Sequence, residues 1–216
     1  MDLNNAFNDQ ERQIISGYLS LMAEKPYDKI TVKELTTRCS IARTAFYRSF
    51  EDTYDLLERI EQYLLGEFTL YRPRMASSPS RDSAKKDEEA ALAGKAYQGI
   101  ETWFATGIRL RFILRAIMGE NGDLYFKERL IKRLKIELNQ MMDDERTPRD
   151  GLRSYYVAAI SASYIGLLNH IALVEDADLL PVSEITGIAN SMRVAYFRSA
   201  KNAPTITDAQ LFGTAE

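Results

Sequence analysis

Hydrophobic positions recur every three to four residues along most of this chain, and that period predicts helices. Glu11 to Glu24 carries Ile14, Ile15, Tyr18, Leu19 and Met22 on one side. Pro26, in Lys25-Pro26-Tyr27-Asp28, ends it because proline cannot continue the hydrogen-bond ladder. From Ile30 to Phe50 the elements shorten. Thr31 and Glu34 have the T-x-x-E spacing of a capping box, which starts a helix carrying Val32, Leu35, Thr36 and Cys39. Ser40 and Ile41 make a turn, with Ile41 plugging the angle. A second helix starts near Ala42. Its Phe46 and Phe50, four apart, face inward and leave Arg43, Thr44, Tyr47 and Arg48 facing out. Thr53 to Leu70 is a longer helix with Leu56, Leu57, Ile60, Tyr63, Leu64 and Phe68.

The pattern breaks at Arg72 to Lys86, RPRMASSPSRDSAKK, where prolines, serines and basic residues replace the apolar stripe. This reads as a solvated connection. From Asp87 the helical pattern returns, first to Thr106 and then from Ile108 to Met118. Gly119 to Asp123 is a turn, and Asp123 can cap the helix after it. Leu124 to Met142 is amphipathic, with Lys127, Arg129, Lys132, Arg133 and Lys135 on its wet side. Gly151 to Val174 is nearly all apolar with a run of small residues, so burial on more than one side is expected. Pro181 to Ala200 is the last long helix, and Lys201 to Glu216 is a loosely held tail. The expected architecture is all-α. A three-helix domain spans residues 9–70, with a helix-turn-helix at 31–50. A linker follows at 71–86, then a C-terminal helical bundle at 87–200, and a tail at 201–216.

Charge narrows the function. The formal net charge is −3, which argues against a chain that coats nucleic acid indiscriminately. Residues 1–50 hold seven Lys/Arg against six Asp/Glu, so non-specific affinity for phosphates should be modest. The single cysteine, Cys39, excludes an intrachain disulfide and reads as a small packing residue. The polar, acidic opening has no signal-peptide character, and no apolar run is expected to reach the ~20 residues that span a bilayer, so a cytoplasmic protein is expected.

Two short helices at a tight turn, one with a hydrogen-bonding outer face, form the layout in which one helix enters the DNA major groove and the other braces it. Arg reads guanine bidentately or holds phosphate, and Thr and Tyr hydroxyls suit phosphates or base edges. With its flanking helices the segment resembles the TetR/AcrR-type family of bacterial transcriptional regulators. The matching residues are Ala23-Glu24-Lys25-Pro26-Tyr27, Ile30-Thr31-Val32, Arg43-Thr44-Ala45-Phe46-Tyr47-Arg48-Ser49-Phe50 and Tyr54-Asp55-Leu56-Leu57. The resemblance covers residues 9–70. It implies a homodimer on a palindromic double-stranded DNA operator, acting as a repressor that a small effector can release. It also implies a dimer interface made by the last two long helices. Three positions depart from the family's usual residues: Ser40 stands for a turn glycine, Ala42 for a capping Ser or Thr, and Thr53 for a phosphate-holding Lys. The expected DNA contacts are Thr31, Lys33, Arg43, Thr44, Ala45, Tyr47, Arg48 and Thr53. The weak phosphate-side chemistry at Ala42, Glu51, Asp52 and Thr53 keeps a rival reading open, a helical adaptor of the same fold that acts through protein contacts.

Nothing points to catalysis. His170 is the only histidine, and no G-x-S-x-G, H-E-x-x-H or G-x-G-x-x-G occurs. No cofactor, metal or membrane partner is expected. Aromatics in the C-terminal half suggest a pocket for a small apolar or aromatic effector, lined by Trp103, Phe104, Phe112, Tyr156, Tyr164 and His170. Core packing is the plainer reading for each aromatic, and an interface or core place is the plainer one for His170.

Overall fold

A computed structural model describes residues 3, 6–69, 98–144 and 148–202. All regular structure among them is helical. The elements are α1 (Asp9–Met22), α2 (Val32–Arg38), α3 (Arg43–Phe46), α4 (Thr53–Glu67), α5 (Gln98–Arg109), α6 (Arg111–Met118), α7 (Leu124–Asp144), α8 (Gly151–Leu173) and α9 (Val182–Asn202). Short 3-10 turns lie at Tyr27–Lys29 and Asp176–Asp178. The expected linker at 71–86, the first residues of the bundle, Leu70 and the tail from 203 onward lie outside the described residues.

Capping chemistry sets the starts of the N-terminal helices. Asn8 and Glu11 form a reciprocal capping box, so α1 begins two residues before the expected Glu11. The Thr31–Glu34 box starts α2 as its spacing predicts. Asp52 caps α4 by accepting from the Tyr54 and Asp55 N–H groups, both at 2.8 Å. Ala42 caps α3 without a side-chain bond. The turn between α2 and α3 is left-handed at Ser40, φ 54°, the one positive-φ non-glycine residue among those described. This is where the resembling family carries glycine, and Ser40 meets the Cβ–carbonyl crowding that glycine avoids.

The first core is built from Ile14, Ile15, Tyr18, Leu35, Phe46, Phe50, Leu56 and Ile60, all buried. α1 and α2 meet at Gly17, where an added Cβ would stand 2.3 Å from Cys39 Sγ. Cys39 is buried and packs there, as its size suggests. Gln13 Nε2 donates to the Cys39 carbonyl at 2.8 Å and ties α1 to the turn.

The bundle surrounds α8, whose buried stripe of Val157, Ile160, Tyr164, Ile165 and Leu168 packs on α5, α6, α7 and α9. Helix α5 runs through Gly107 to Arg109, past the expected break, and the missing Cβ at Gly107 lets Leu168 approach to 2.5 Å of that position. Helix α8 is 23 residues long and, by length and mean hydropathy, apolar enough to cross a membrane, although polar and small residues interrupt its sequence. It is not buried all round: Tyr155, Ala158, Ala159, Ala162, Gly166, His170 and Leu173 are exposed. Among the described residues, α1 on α6 and α4 on α7 are the helix contacts that join the domains most extensively.

Candidate nucleic-acid interface

Helix α3 is a single turn, continued through Ser49 by backbone bonds to the Phe46 carbonyl. Phe46 and Phe50 are its anchors, fully buried and 5.8 Å apart between ring centroids. Arg59 of α4 braces the far end: its guanidinium lies 4.7 Å from the Phe50 ring centroid, donates to the Ser49 carbonyl at 2.5 Å and pairs with Glu11 at 3.1 Å. With both phenylalanines inward, Arg43, Thr44, Tyr47 and Arg48 stand outward and exposed, Tyr47 at 56%. Ala45 is half-buried beside them.

The disposition of charge separates two groups of cations. Among the seven Lys/Arg of residues 1–50, four are held by neighbouring carboxylates: Arg12 by Asp9, Lys25 by Glu34, Lys29 by Asp28 and Arg38 by Glu24. Lys33, Arg43 and Arg48 make no ion pair among the described residues, and all three are exposed. The three without carboxylates belong to the set that the sequence pattern singled out. Of the three acids that follow α3, Glu51 is exposed and the other two bind backbone N–H groups. Asp52 is spent on the α4 cap, and Asp55 accepts the Glu51 N–H at 3.0 Å.

Two expected contacts sit differently. Thr53 is 9% exposed, the first residue of α4 behind the Asp52 carboxylate, so its hydroxyl does not face the outer surface. Thr31 is exposed, but its hydroxyl donates to Glu34 Oε2 at 2.8 Å. That carboxylate also binds Lys25, and these two partners hold its pKa down to about 2. Thr31 is thus a cap beside a fixed negative charge rather than a free phosphate donor.

The expected effector lining does not form one wall. Trp103 is 1% exposed, with ring centroids of Phe68 and Phe104 each at 5.1 Å and Tyr164 at 6.1 Å. Phe104 and Tyr164 are 5.5 Å apart, so these rings fill the core between α5 and α8 by packing on one another. Phe112 and His170 are instead exposed, because each lies on the side of its helix away from that core, and Tyr156 is half-buried. No group of three or more His, Cys, Asp or Glu among the described residues is arranged to hold a metal.

The sequence reading missed a polar cluster at the domain junction. Arg129, expected on the wet side of α7, binds Glu61 of α4 and Asp123 at 2.6 Å. Asp123 caps α7 through the Tyr125 N–H at 2.9 Å, as expected. The overlooked signal was Glu61, an acid beside Ile60 on the apolar stripe of α4, which needs a partner from another element.

With this geometry in view, residues 14–60 match the family model described as bacterial regulatory proteins, tetR family. A comparison with curated proteins found no match. Among solved structures the chain is similar to a dihydroxyacetone kinase operon activator, DhaS, with a TM-score of 0.53 at 13% identity over 90% of this chain and 97% of that one. It is also similar to a fatty acid degradation regulator, FadR, from Bacillus halodurans, with a TM-score of 0.53 at 12% identity over 88% and 97%. At those identities the likeness is one of fold, and it spans both halves of the molecule. The match runs from within α1 into α4, so residues 14–60 carry a domain like that of the tetR family of bacterial regulatory proteins.

Proposed function

We propose that this transcriptional regulator is a repressor that binds a palindromic operator as a homodimer, reading the major groove with α3. One observation carries the reading: the cations left without carboxylates in the N-terminal domain, Lys33, Arg43 and Arg48, flank or lie on the outer face of the helix-turn-helix. Arg43, Thr44 and Tyr47 would address base edges, and Lys33 and Arg48 the phosphates. The dimer rests on two neighbouring unpartnered faces. Ala158, Ala159, Ala162 and Gly166 of α8 are exposed, as are Gly187 and Ile188 of α9. No atom outside its own helix comes within 4 Å of a Cβ built at Gly166 or Gly187. Two copies of such a pair form a self-complementary two-fold contact.

Release by a small apolar or aromatic effector is the part of the reading that the family resemblance supports. Entry at Trp103 would require parting Phe68, Phe104 and Tyr164. Selection of bound duplexes from random DNA tests the whole proposal. It should return an inverted repeat, and a wild-type protein that enriched no sequence would overturn the DNA reading. Ala162→Arg should convert the dimer to a monomer by light scattering. A wild-type monomer would remove the two-fold reading.

A further inference from the structure

The junction between the DNA-reading domain and the bundle contains more carboxylate than cation, and the carboxylates are buried while Arg129 reaches them from the surface. Glu61 of α4 is 5% exposed and Asp123, at the start of α7, is 7% exposed. Both carboxylates bind the same Arg129 nitrogen, Nη2. Asp123 has other donors, since the Tyr125 N–H satisfies its second oxygen. Glu61 has none among the described residues: its Oε1 is buried without a hydrogen-bond partner there. The Tyr18 hydroxyl of α1, also fully buried and without a partner, belongs to the same cluster. One guanidinium cannot neutralise two buried carboxylates, so the arrangement carries one surplus negative charge unless a proton is bound.

We propose that Glu61, Asp123 and Arg129 form a proton-operated joint between the reading domain and the bundle, closed when Glu61 carries a proton and loosened when the proton leaves. The protonated carboxyl can donate to Asp123, and Arg129 then balances one charge instead of two. Loss of the proton sets two carboxylates against each other where α4 rests on α7. The backbone link beside it, the Tyr27 N–H to the Asn121 carbonyl at 2.9 Å, joins the turn before α2 to the same 119–123 turn. Loosening there therefore bears on the entry to the helix-turn-helix.

The groups that face Glu61 agree on where the proton resides. Burial raises the Glu61 pKa to about 7, opposed by Arg129 and reinforced by Asp123. Burial also pushes Asp123 upward, but the Tyr125 N–H, Arg129 and Glu61 outweigh it and hold Asp123 below the usual range. Tyr18 and Tyr27 are both pushed up, chiefly by burial and further by Glu61 and Asp123, so both phenols stay neutral and Glu61 is the group that titrates. Because its folded pKa lies above the ordinary 4.5, the proton favours the closed joint. That contribution is complete below about 4.5 and is lost as pH rises through about 7.

The test needs no DNA, so it stands or falls apart from the operator reading. In full-length protein labelled at glutamate Cδ, the Glu61 carboxyl should titrate near 7. Asp123→Asn should move that midpoint down, and Arg129→Met should move it up. Amide exchange across 119–129 supplies the mechanical readout, compared between wild type and Glu61→Gln at each pH so that intrinsic exchange rates cancel. The two proteins should match at pH 4, below the ordinary 4.5. At pH 8 the wild type should exchange faster, on the order of a hundredfold, because opening releases the proton that the closed joint holds between about 4.5 and about 7. Titration of Glu61 near 4.5, or an equal exchange ratio at both pH values, would overturn the joint.

Discussion

The outer face of the helix-turn-helix and the inner face of the same domain handle charge in opposite ways. On the outer face, Lys33, Arg43 and Arg48 stand exposed without carboxylates. On the inner face, Arg59 is held by Glu11, Ser49 and the Phe50 ring, and the domain's buried Glu61 is met by Arg129 reaching across from α7 of the bundle. Desolvating a charge is costly, so a folded chain partners the charges it buries. A cation left at the surface incurs no such cost and stays available to a polyanion, at no gain in fold stability. The domain is thus stabilised on one side and reactive on the other, and substitutions on the two sides should separate these properties.

The largest effect is expected where the two faces meet. Phe46→Ala removes the fully buried ring that orients α3 and should lower stability by ~3–5 kcal/mol. Chemical denaturation reads that loss. A change below ~1 kcal/mol would mean that the site is not packed as described. On the outer side, Arg43→Ala should leave the denaturation midpoint unchanged and lower affinity for the selected operator by ~1–3 kcal/mol, with relaxed base preference. Arg38→Ala is the matched control. Its side chain pairs with Glu24 and reaches Ser20 at 3.0 Å, so it should alter operator affinity far less than Arg43→Ala. Equal losses would erase the distinction between paired and unpaired cations.

The smallest effects concern the turn itself. Ser40→Gly relieves a left-handed serine and should stabilise by roughly 0.5–1 kcal/mol, the gain being limited by glycine's greater freedom in the unfolded chain. Ala42→Ser supplies the missing cap of α3, worth ~1 kcal/mol. Neither should alter base preference, which a repeated duplex selection would check.

The sequence predicted this turn well because its determinants are local. The Thr31–Glu34 box, the Phe46 and Phe50 spacing and the outward Arg43, Thr44, Tyr47 and Arg48 depend on residues within one or two helical turns. Asn8 was within the same reach, and its capping box with Glu11 moves the start of α1 to Asp9. Long-range partners were not legible. Arg129 lies 68 residues from Glu61; helical periodicity rightly placed it on an exposed face but could not show its partner. Trp103, Phe104 and Tyr164 matched the composition of a pocket, but only their three-dimensional approach shows that they fill one another's space. Phe112 and His170 failed for the related reason that an aromatic type does not reveal which side of a helix faces the core.

The salt dependence of operator binding tests the central claim most directly. Each phosphate contact released by substitution should lower the slope of log affinity against log salt by ~0.9 on duplex DNA. Titrating wild type, Arg48→Ala, Lys33→Ala and Arg38→Ala against operator and scrambled duplex at several salt concentrations gives four slopes on each duplex. The account predicts a loss of about one contact each for Arg48→Ala and Lys33→Ala, on both duplexes alike, and no loss for Arg38→Ala. Four indistinguishable slopes would contradict it, since the outer face would then carry no phosphate contacts.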